Sequence, residues 1–228
     1  MQANEQFAII SAAFAAAANA ERAAAMRQYM RNHFEFFGIP KPQRAEIEKP
    51  LQKLWQKSSD LDWCELVYLL WRAPQRELHY VALNLAHTKI KTLPTPAAET
   101  LCRWLATLNF WWDSIDIIAP HLLGDTLLNL STSERKTYLD TWLNSGDFWQ
   151  QRATLIFQLT YKEKTDTELL TYYILALCES KEFFLQKAIG WALRQYARTA
   201  PDWVRAFIAQ HEKKLAPLSR REALKHLK

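Results

Sequence analysis

The sequence predicts an all-α fold built from stacked pairs of helices. Glycine is rare, with 4 residues in 228, whereas alanine and leucine are abundant and runs of β-branched residues are scarce. This balance favours helices over sheets. Hydrophobic residues make up 49% of the chain and charged residues 23%, which is typical of a globular protein with a sizeable core and excludes general disorder. We expect one domain spanning residues 1–228.

Breaks rich in Pro, Gly, Ser or Asp divide the chain into helices. The predicted breaks are Gly38-Ile39-Pro40 with Pro42, Ser58-Ser59-Asp60, Pro74, Pro94-Thr95-Pro96, Ser131-Thr132-Ser133, Ser145-Gly146-Asp147 and Pro217. Two of these breaks supply predicted N-caps, Asp60 and Ser133.

The apolar residues 9–18 are predicted to form the first helix. Residues 18–20, Ala-Asn-Ala, resemble a signal-peptidase site, but Glu5 precedes the apolar run and no Lys or Arg does, which argues against a cleaved leader. No run approaches the roughly 20 apolar residues of a membrane span.

A repeat of 35–38 residues relates the predicted helices. Residues 147–153 match residues 182–188 at an offset of 35, and residues 109–114 fit the same frame at an offset of 38. A weaker match, residues 73–77, lies 36 residues earlier. This period in an all-helical chain is typical of HEAT-type helix pairs. It predicts a right-handed solenoid of HEAT-like helical repeats, whose concave face suits a long, regular partner such as a DNA duplex.

The net charge of +5 is unevenly distributed. Residues 181–228 contain 11 Lys and Arg against 4 Asp and Glu, whereas residues 101–180 contain 6 against 10. The basic C-terminal quarter predicts a polyanionic partner, because clustered cations release counterions from phosphates. A solvated basic surface would give the same charge pattern.

Several classes of chemistry have no signature here. Cys64, Cys102 and Cys178 are far apart and odd in number, which predicts reduced, mostly buried thiols in a cytoplasmic protein. The six histidines lack metal-ligand spacing, and the GxGxxG, P-loop and GxSxG motifs are absent, so we expect no metal and no cofactor.

Most of the ten tryptophans are expected in the core, and Trp55, Trp63, Trp71, Trp104 and Trp142 follow a helical apolar rhythm. Trp112 is different, because Asp116 lies four residues later and shares its helix face. A carboxylate beside an aromatic plane can stabilise a developing cation. An ordinary helix carboxylate near a core aromatic would give the same pattern.

The later repeats add cations to this set. Arg152 lies in the second helix of its repeat, and Lys187, Trp191 and Arg194 follow one another at i, i+4 and i+7. Cations alternating with aromatics are typical of a DNA-facing surface. Any one such stripe also fits a half-buried helix, but recurrence across three repeats favours DNA.

Five motifs in order resemble those of the HEAT-like-repeat DNA alkylation repair glycosylases, the AlkD family. They are YMRNHF at 29–34, WWDSID at 111–116, WQQR at 149–152, SKEFFLQKAIGW at 180–191 and LAPLSRREA at 215–223, and they cover nearly the whole chain.

The resemblance implies a monomeric, metal-free glycosylase that removes cationic N3- and N7-alkylated purines, such as 3-methyladenine and 7-methylguanine, from duplex DNA in base excision repair. It implies that Asp116 is the catalytic carboxylate, that Trp112 and Trp191 flank the sugar of the lesion, and that Arg152 lies near the phosphate backbone. It also matches Tyr29 to a further aromatic residue of the DNA cleft. The remaining predicted DNA contacts are Lys162, Phe183, Phe184, Lys187 and Arg194.

The chain departs from the family pattern at Thr160, two residues before Lys162, where some members carry Lys. One phosphate contact is therefore expected to be lost. Two other functions fit parts of the sequence: a non-catalytic HEAT-like protein that binds damaged or branched DNA, and a protein–protein scaffold. Asp116 with Trp112 and Trp191 favours the glycosylase over the first, and the basic C-terminal quarter argues against the second.

Overall fold

Helices account for all regular secondary structure in residues 2–55 and 59–227, which are the residues that the computed structural model describes. An isolated bridge between Glu35 and Gln75 is the sole β-type pairing in these ranges. The all-α fold class is therefore confirmed. Ser58, in one of the predicted breaks, lies outside the described residues.

The helices form two compact units, Met1–Lys89 and Ile90–Lys228. The expectation of one domain over residues 1–228 stays a prediction. In the first unit, α4 packs against α1 and α5, and α3 packs against α1 and α5. The helices of this unit are α1 (Ala3–Ala16), α2 (Ala20–Tyr29), α3 (Lys41–Trp55), α4 (Asp60–Arg72) and α5 (Arg76–Lys89).

The predicted break at Gly38-Ile39-Pro40 is held by a buried carboxylate of α5. Glu77 accepts hydrogen bonds from the backbone N–H groups of Phe37, Gly38 and Ile39, at 2.9–3.0 Å. Gly38 has a φ of +87°, and a Cβ there would lie 2.2 Å from the carbonyl oxygen of Asn19. Only glycine fits this turn.

In the second unit the helices stack in the order of the repeat. Helix α7 packs on α10, α10 on α12 and α12 on α14, while α9 contacts α10 and α11. The helices are α6 (Thr95–Leu105), α7 (Trp112–Ile117), α8 (Gly124–Leu127), α9 (Thr132–Leu143), α10 (Phe148–Ile156), α11 (Thr167–Leu177), α12 (Phe183–Tyr196), α13 (Pro201–Gln210) and α14 (Pro217–Ala223). Short 3-10 turns cover Ile90–Thr92, Lys162–Lys164 and Leu224–His226, and a π-helix covers Ile118–Leu123.

The segments aligned by the repeat each lead into a helix: α5, α7, α10 and α12. Helix α7 begins three residues after the start of its aligned segment, whereas α10 and α12 each begin one residue after theirs. Asn109 adopts a left-handed φ of +52° and the helix begins only at Trp112.

The two predicted N-caps are wrong. Ser59, one residue before Asp60, caps α4 by accepting from the N–H of Asp62. Ser131, two residues before Ser133, caps α9, because only Ser131 has Glu134 three residues later and can complete a capping box with it.

Burial follows the predicted core in most places. Trp55, Trp63, Trp71 and Trp142 are buried, whereas Trp104 is half-buried. Cys102 and Cys178 are buried and Cys64 is exposed. Among the described residues, no helix is long and apolar enough to cross a membrane.

Candidate active site

Asp116 forms a bidentate ion pair with Arg152. The Nε of Arg152 donates to Oδ1 of Asp116 at 2.8 Å, and Nη2 donates to Oδ2 at 3.0 Å. The side chain of Asp116 keeps 19% of its surface exposed and that of Arg152 only 6%. The carboxylate is therefore held in one orientation, while part of the Asp116 side chain remains exposed to solvent.

The short helix α7 sets the position of Asp116. Its first turn is closed by Ser114, whose hydroxyl accepts from the N–H of Trp111 at 2.9 Å. The helix then passes into the π-helix Ile118–Leu123, which contains Pro120. Proline has no N–H to donate to the preceding turn, and π-turns within helices are frequent at functional sites.

Arg152 joins three consecutive helices of the stack. From α10 it reaches Asp116 on α7, and its Nη1 donates to the carbonyl oxygen of Phe184 on α12 at 2.5 Å. Its guanidinium carbon lies 5.8 Å from the centre of the Trp191 ring, also on α12. Arg152, which was expected near the phosphate backbone of DNA, is thus hydrogen-bonded to Asp116 within the protein.

The pKa of Asp116 is raised above its ordinary value. Burial is the main cause, and the charge of Asp113 raises it further. The charge and hydrogen bonds of Arg152 act in the opposite direction.

The structure brings Asp116, Arg152 and Trp191 together. Trp112 is half-buried one turn before Asp116 on α7, and its ring centre lies 6.4 Å from that of Trp111. The two half-buried indoles lie on α7, which carries Asp116, and on α12, whose Phe184 carbonyl oxygen accepts a hydrogen bond from Arg152.

Phe183 and Phe184 belong to a larger aromatic cluster than the sequence prediction included. The ring of Phe184 lies 4.7 Å from Trp149 and 5.4 Å from Phe183, and Phe148 lies 4.6 Å from Trp149. The outermost ring, Phe183, is 54% exposed. Phe148 and Trp149 could have been found from the repeat, since residues 147–153 align with 182–188.

Lys187 and Arg194, predicted to flank Trp191, both pair with Glu222 on α14. The distances are 2.9 Å from the Nζ of Lys187 and 2.6 Å from Nη1 of Arg194. Lys225 adds a third cation at 2.8 Å. Hydrogen bonds from Lys225, Lys187 and Arg194 lower the pKa of Glu222 to about 2. The sequence prediction missed Glu222, although it falls within the fifth motif.

Two further predicted DNA contacts are Tyr29, in the first unit, and Lys162, in the second. Tyr29 ends α2 in the first unit and is 72% exposed. Lys162 is exposed with a left-handed φ of +52°, and it lines a cleft of about 250 Å³ with Gln195 and Arg198. Thr160, the position of the departure, is also exposed.

Comparison with known proteins identifies related chains. A family model described as DNA alkylation repair enzyme matches residues 10–227. A solved structure described as a predicted DNA alkylation repair enzyme from Enterococcus faecalis is 33% identical. The match covers 92% of this chain and 96% of that one, with a TM-score of 0.80. A search of curated proteins gives no significant match.

Proposed function

Because the chain belongs to the family of DNA alkylation repair enzymes, we propose that it is a monofunctional DNA glycosylase. It hydrolyses the N-glycosidic bond of purines alkylated at N3 or N7, such as 3-methyladenine and 7-methylguanine, in duplex DNA. The observation that carries the proposal is the partly exposed carboxylate of Asp116, fixed by Arg152 in a cluster with the indole of Trp191.

The chemistry requires a negative charge more than it requires a proton donor. Alkylation at N3 or N7 makes the purine cationic, so the C1′–N bond can break with both electrons going to the base, which leaves neutral. The remaining barrier is positive charge on the deoxyribose, and a fixed carboxylate opposes that charge directly. Water then adds its oxygen to C1′, and the carboxylate can orient that water and accept its proton.

The indoles of Trp112 and Trp191 supply the second electrostatic element. Their negative π faces attract a cationic ring. In the proposed complex they lie against the sugar of the lesion, so the protein acts from the backbone side and needs no pocket for an extruded base. Selectivity then depends on the charge of the lesion.

Arg152 has a positioning role in this mechanism. By bonding both oxygens of Asp116 it favours the ionised carboxylate against the effect of burial. Each carboxylate oxygen has two lone pairs, so the ion pair leaves acceptor sites for water or for interaction with the sugar.

The remaining predicted residues are proposed to contact DNA without taking part in bond breaking. These are Tyr29, Lys162, Phe183, Phe184, Lys187 and Arg194. We propose that the protein acts as a monomer in the cytoplasm, where it reaches the DNA of the nucleoid.

The direct test is release of free base from a duplex that contains one 7-methylguanine, with excess protein. We expect the free base, separated by chromatography, to accumulate well above the rate of spontaneous loss, and an undamaged duplex to be unchanged. Tight binding without release would support a second candidate, a non-catalytic protein that binds damaged DNA. One observation favours that candidate: Arg152 already offsets the charge of Asp116.

A further inference from the structure

Helix α14 carries a buried carboxylate that holds two cations of α12. Glu222 has a side chain 6% exposed, whereas the side chains of Lys187 and Arg194 are 35% and 24% exposed. The Nζ of Lys187 also lies 5.9 Å from the ring of Phe183. Both cations are therefore fixed at one end by Glu222 and remain open to a second anion.

Close packing of α12 against α14 makes this arrangement possible. Gly190 leaves room for Glu222, because a Cβ at position 190 would lie 2.4 Å from the Cβ of Glu222. One turn away, the hydroxyl of Ser219 donates to the carbonyl oxygen of Gln186 at 2.8 Å. Glu222 thus lies against the backbone of α12 at Gly190, and the bond of Ser219 holds α14 to α12 one turn before it.

Trp191 lies between the two cations in the sequence of α12. Lys187 precedes it by one turn, and Arg194 follows it by almost one turn. A single carboxylate that bonds both cations fixes them along the helix face that carries the indole. Long cationic side chains lose rotamer freedom when they bind, and prior fixation reduces that loss at the moment of binding.

We propose that Glu222 is a positioning residue, which holds Lys187 and Arg194 on either side of Trp191 so that they grip the phosphates flanking a damaged nucleotide. The proposal rests on the proposed function, because it assigns these cations to DNA at the reacting sugar. The three cations around Glu222 keep its pKa at about 2, so the carboxylate is ionised at neutral pH.

Positioning and simple charge balance have opposite consequences for Glu222→Gln. Removing one negative charge adds positive charge to the surface, which by itself tightens binding to undamaged duplex. If Glu222 positions the cations, the same variant excises the damaged base more slowly, even when it binds plain duplex equally well or more tightly.

The experiment measures two quantities for each variant: the single-turnover rate of 7-methylguanine release at saturating protein, and the ratio of affinities for the damaged and undamaged duplex. We expect Glu222→Gln to slow release at least about tenfold and to lower the affinity ratio. Glu212→Gln makes the same charge change at a side chain 66% exposed that pairs with Arg220, and it should match the wild type.

A double-variant cycle separates positioning from a general structural effect. In a Lys187→Met, Arg194→Met background, Glu222→Gln should change neither quantity, because the groups it acts through are gone. An equal further loss in that background, or an unchanged rate in folded Glu222→Gln, overturns the proposal. If Glu222→Gln does not fold, Glu222→Asp withdraws the carboxylate by one methylene and should give a smaller loss of both quantities, which an unchanged Asp variant contradicts.

Failure of the proposed function and failure of the positioning role of Glu222 give different results. If the wild-type protein releases no base, the glycosylase proposal fails. The affinity ratio still tests whether Glu222 positions cations at damaged DNA.

Discussion

Arg152 and Asp116 lie 36 residues apart, and the guanidinium of one bonds both carboxylate oxygens of the other. That separation is one period of the repeat. Lys187 pairs with Glu222 at a separation of 35. In a helical repeat, a residue faces its equivalent in the next repeat, so contacts one period apart are built into the architecture. The candidate site therefore uses the interface between successive repeats, where two helices can each supply one member of an ion pair.

The first prediction concerns the charge of Asp116. Asp116→Asn keeps the shape and a hydrogen-bond acceptor for Arg152 but removes the negative charge opposite the developing cation. We expect 7-methylguanine excision to fall by about 10²-fold or more, or about 2.7 kcal/mol of transition-state stabilisation. Single-turnover rates measure the loss, and affinity for undamaged duplex should change little.

Asp113→Asn is the matched control. It removes the same charge from the same short helix, three residues before Asp116, and should retain excision at neutral pH. Normal turnover by Asp116→Asn would reduce Asp116 to a structural carboxylate.

The second prediction concerns pH. Burial raises the pKa of Asp116, and Asp113 adds to the effect. As the pH falls through this raised pKa, the carboxylate becomes neutral and excision should decline at a higher pH than an ordinary Asp would give. Asp113→Asn removes a like charge, so it should move the acid limb to lower pH. Rate–pH profiles of the two proteins, corrected for spontaneous base loss, test this, and superimposable acid limbs would contradict it.

The repeat period and the helix order could be predicted from the sequence, because they depend on local spacing. The alignment of residues 147–153 with 182–188 located the starts of α10 and α12, and the spacing of Trp112 and Asp116 placed them on one helix. Each of these patterns is formed by residues within a single helix or by segments one repeat apart in the sequence.

Pairings between repeats could not be predicted in the same way. Arg152 has two acidic residues about one period before it, Asp113 and Asp116, and only the packing of α7 on α10 selects Asp116. Glu222 was missed for the same reason, since its two partners on α12 lie 28 and 35 residues away. The π-helix at Ile118–Leu123 was also missed, because Pro120 alone does not distinguish a break from a widened turn.

The third prediction concerns the departure at Thr160. Thr160→Lys places a cation on an exposed position two residues before Lys162. We expect it to tighten binding to undamaged duplex and to steepen the dependence of log K on log salt by about one. Lys162→Gln should have the opposite effect of similar size.

Fluorescence anisotropy titrations at several salt concentrations measure both slopes. Thr137→Lys adds the same charge at an exposed position of α9 and should change the slope less than Thr160→Lys does. Equal slopes for the two lysine variants would show that net charge, and not the position near Lys162, sets the affinity.

The fourth prediction concerns the contact of α12 with α14. A Cβ at Gly190 would meet the Cβ of Glu222 at 2.4 Å and the carbonyl oxygen of Ser219 at 2.8 Å. Gly190→Ala should therefore lower the free energy of unfolding by about 1–3 kcal/mol. Gly146→Ala is the comparison, because that site has a φ of +76° but open space around it, and its cost should be near 1 kcal/mol. Urea denaturation measures both, and a smaller cost at Gly190 would contradict the close packing.

The last prediction concerns the lesions that the protein does not excise. If the positive charge of the leaving purine supplies most of the activation, neutral lesions should be poor substrates however well they fit. A neutral base needs a proton as it leaves. The three motifs that supply Trp112, Asp116, Arg152 and Trp191 contain no histidine that could donate it. Asp116, the carboxylate in that cluster, is paired with Arg152 and is assigned to stabilise a cation in its ionised form.

Four duplexes that differ only in the lesion test this selectivity, each with the same excess of protein. We expect 3-methyladenine and 7-methylguanine to be released, while uracil and 1,N6-ethenoadenine remain in the DNA. Asp116→Asn should abolish the difference by slowing release of the two cationic bases, without effect on the neutral ones. Comparable release of a neutral base by the wild-type protein would require a general acid or a base-binding pocket. In that case Asp116, Trp112 and Trp191 could not be the main source of catalysis, because a cluster that only stabilises a sugar cation cannot protonate a neutral leaving group.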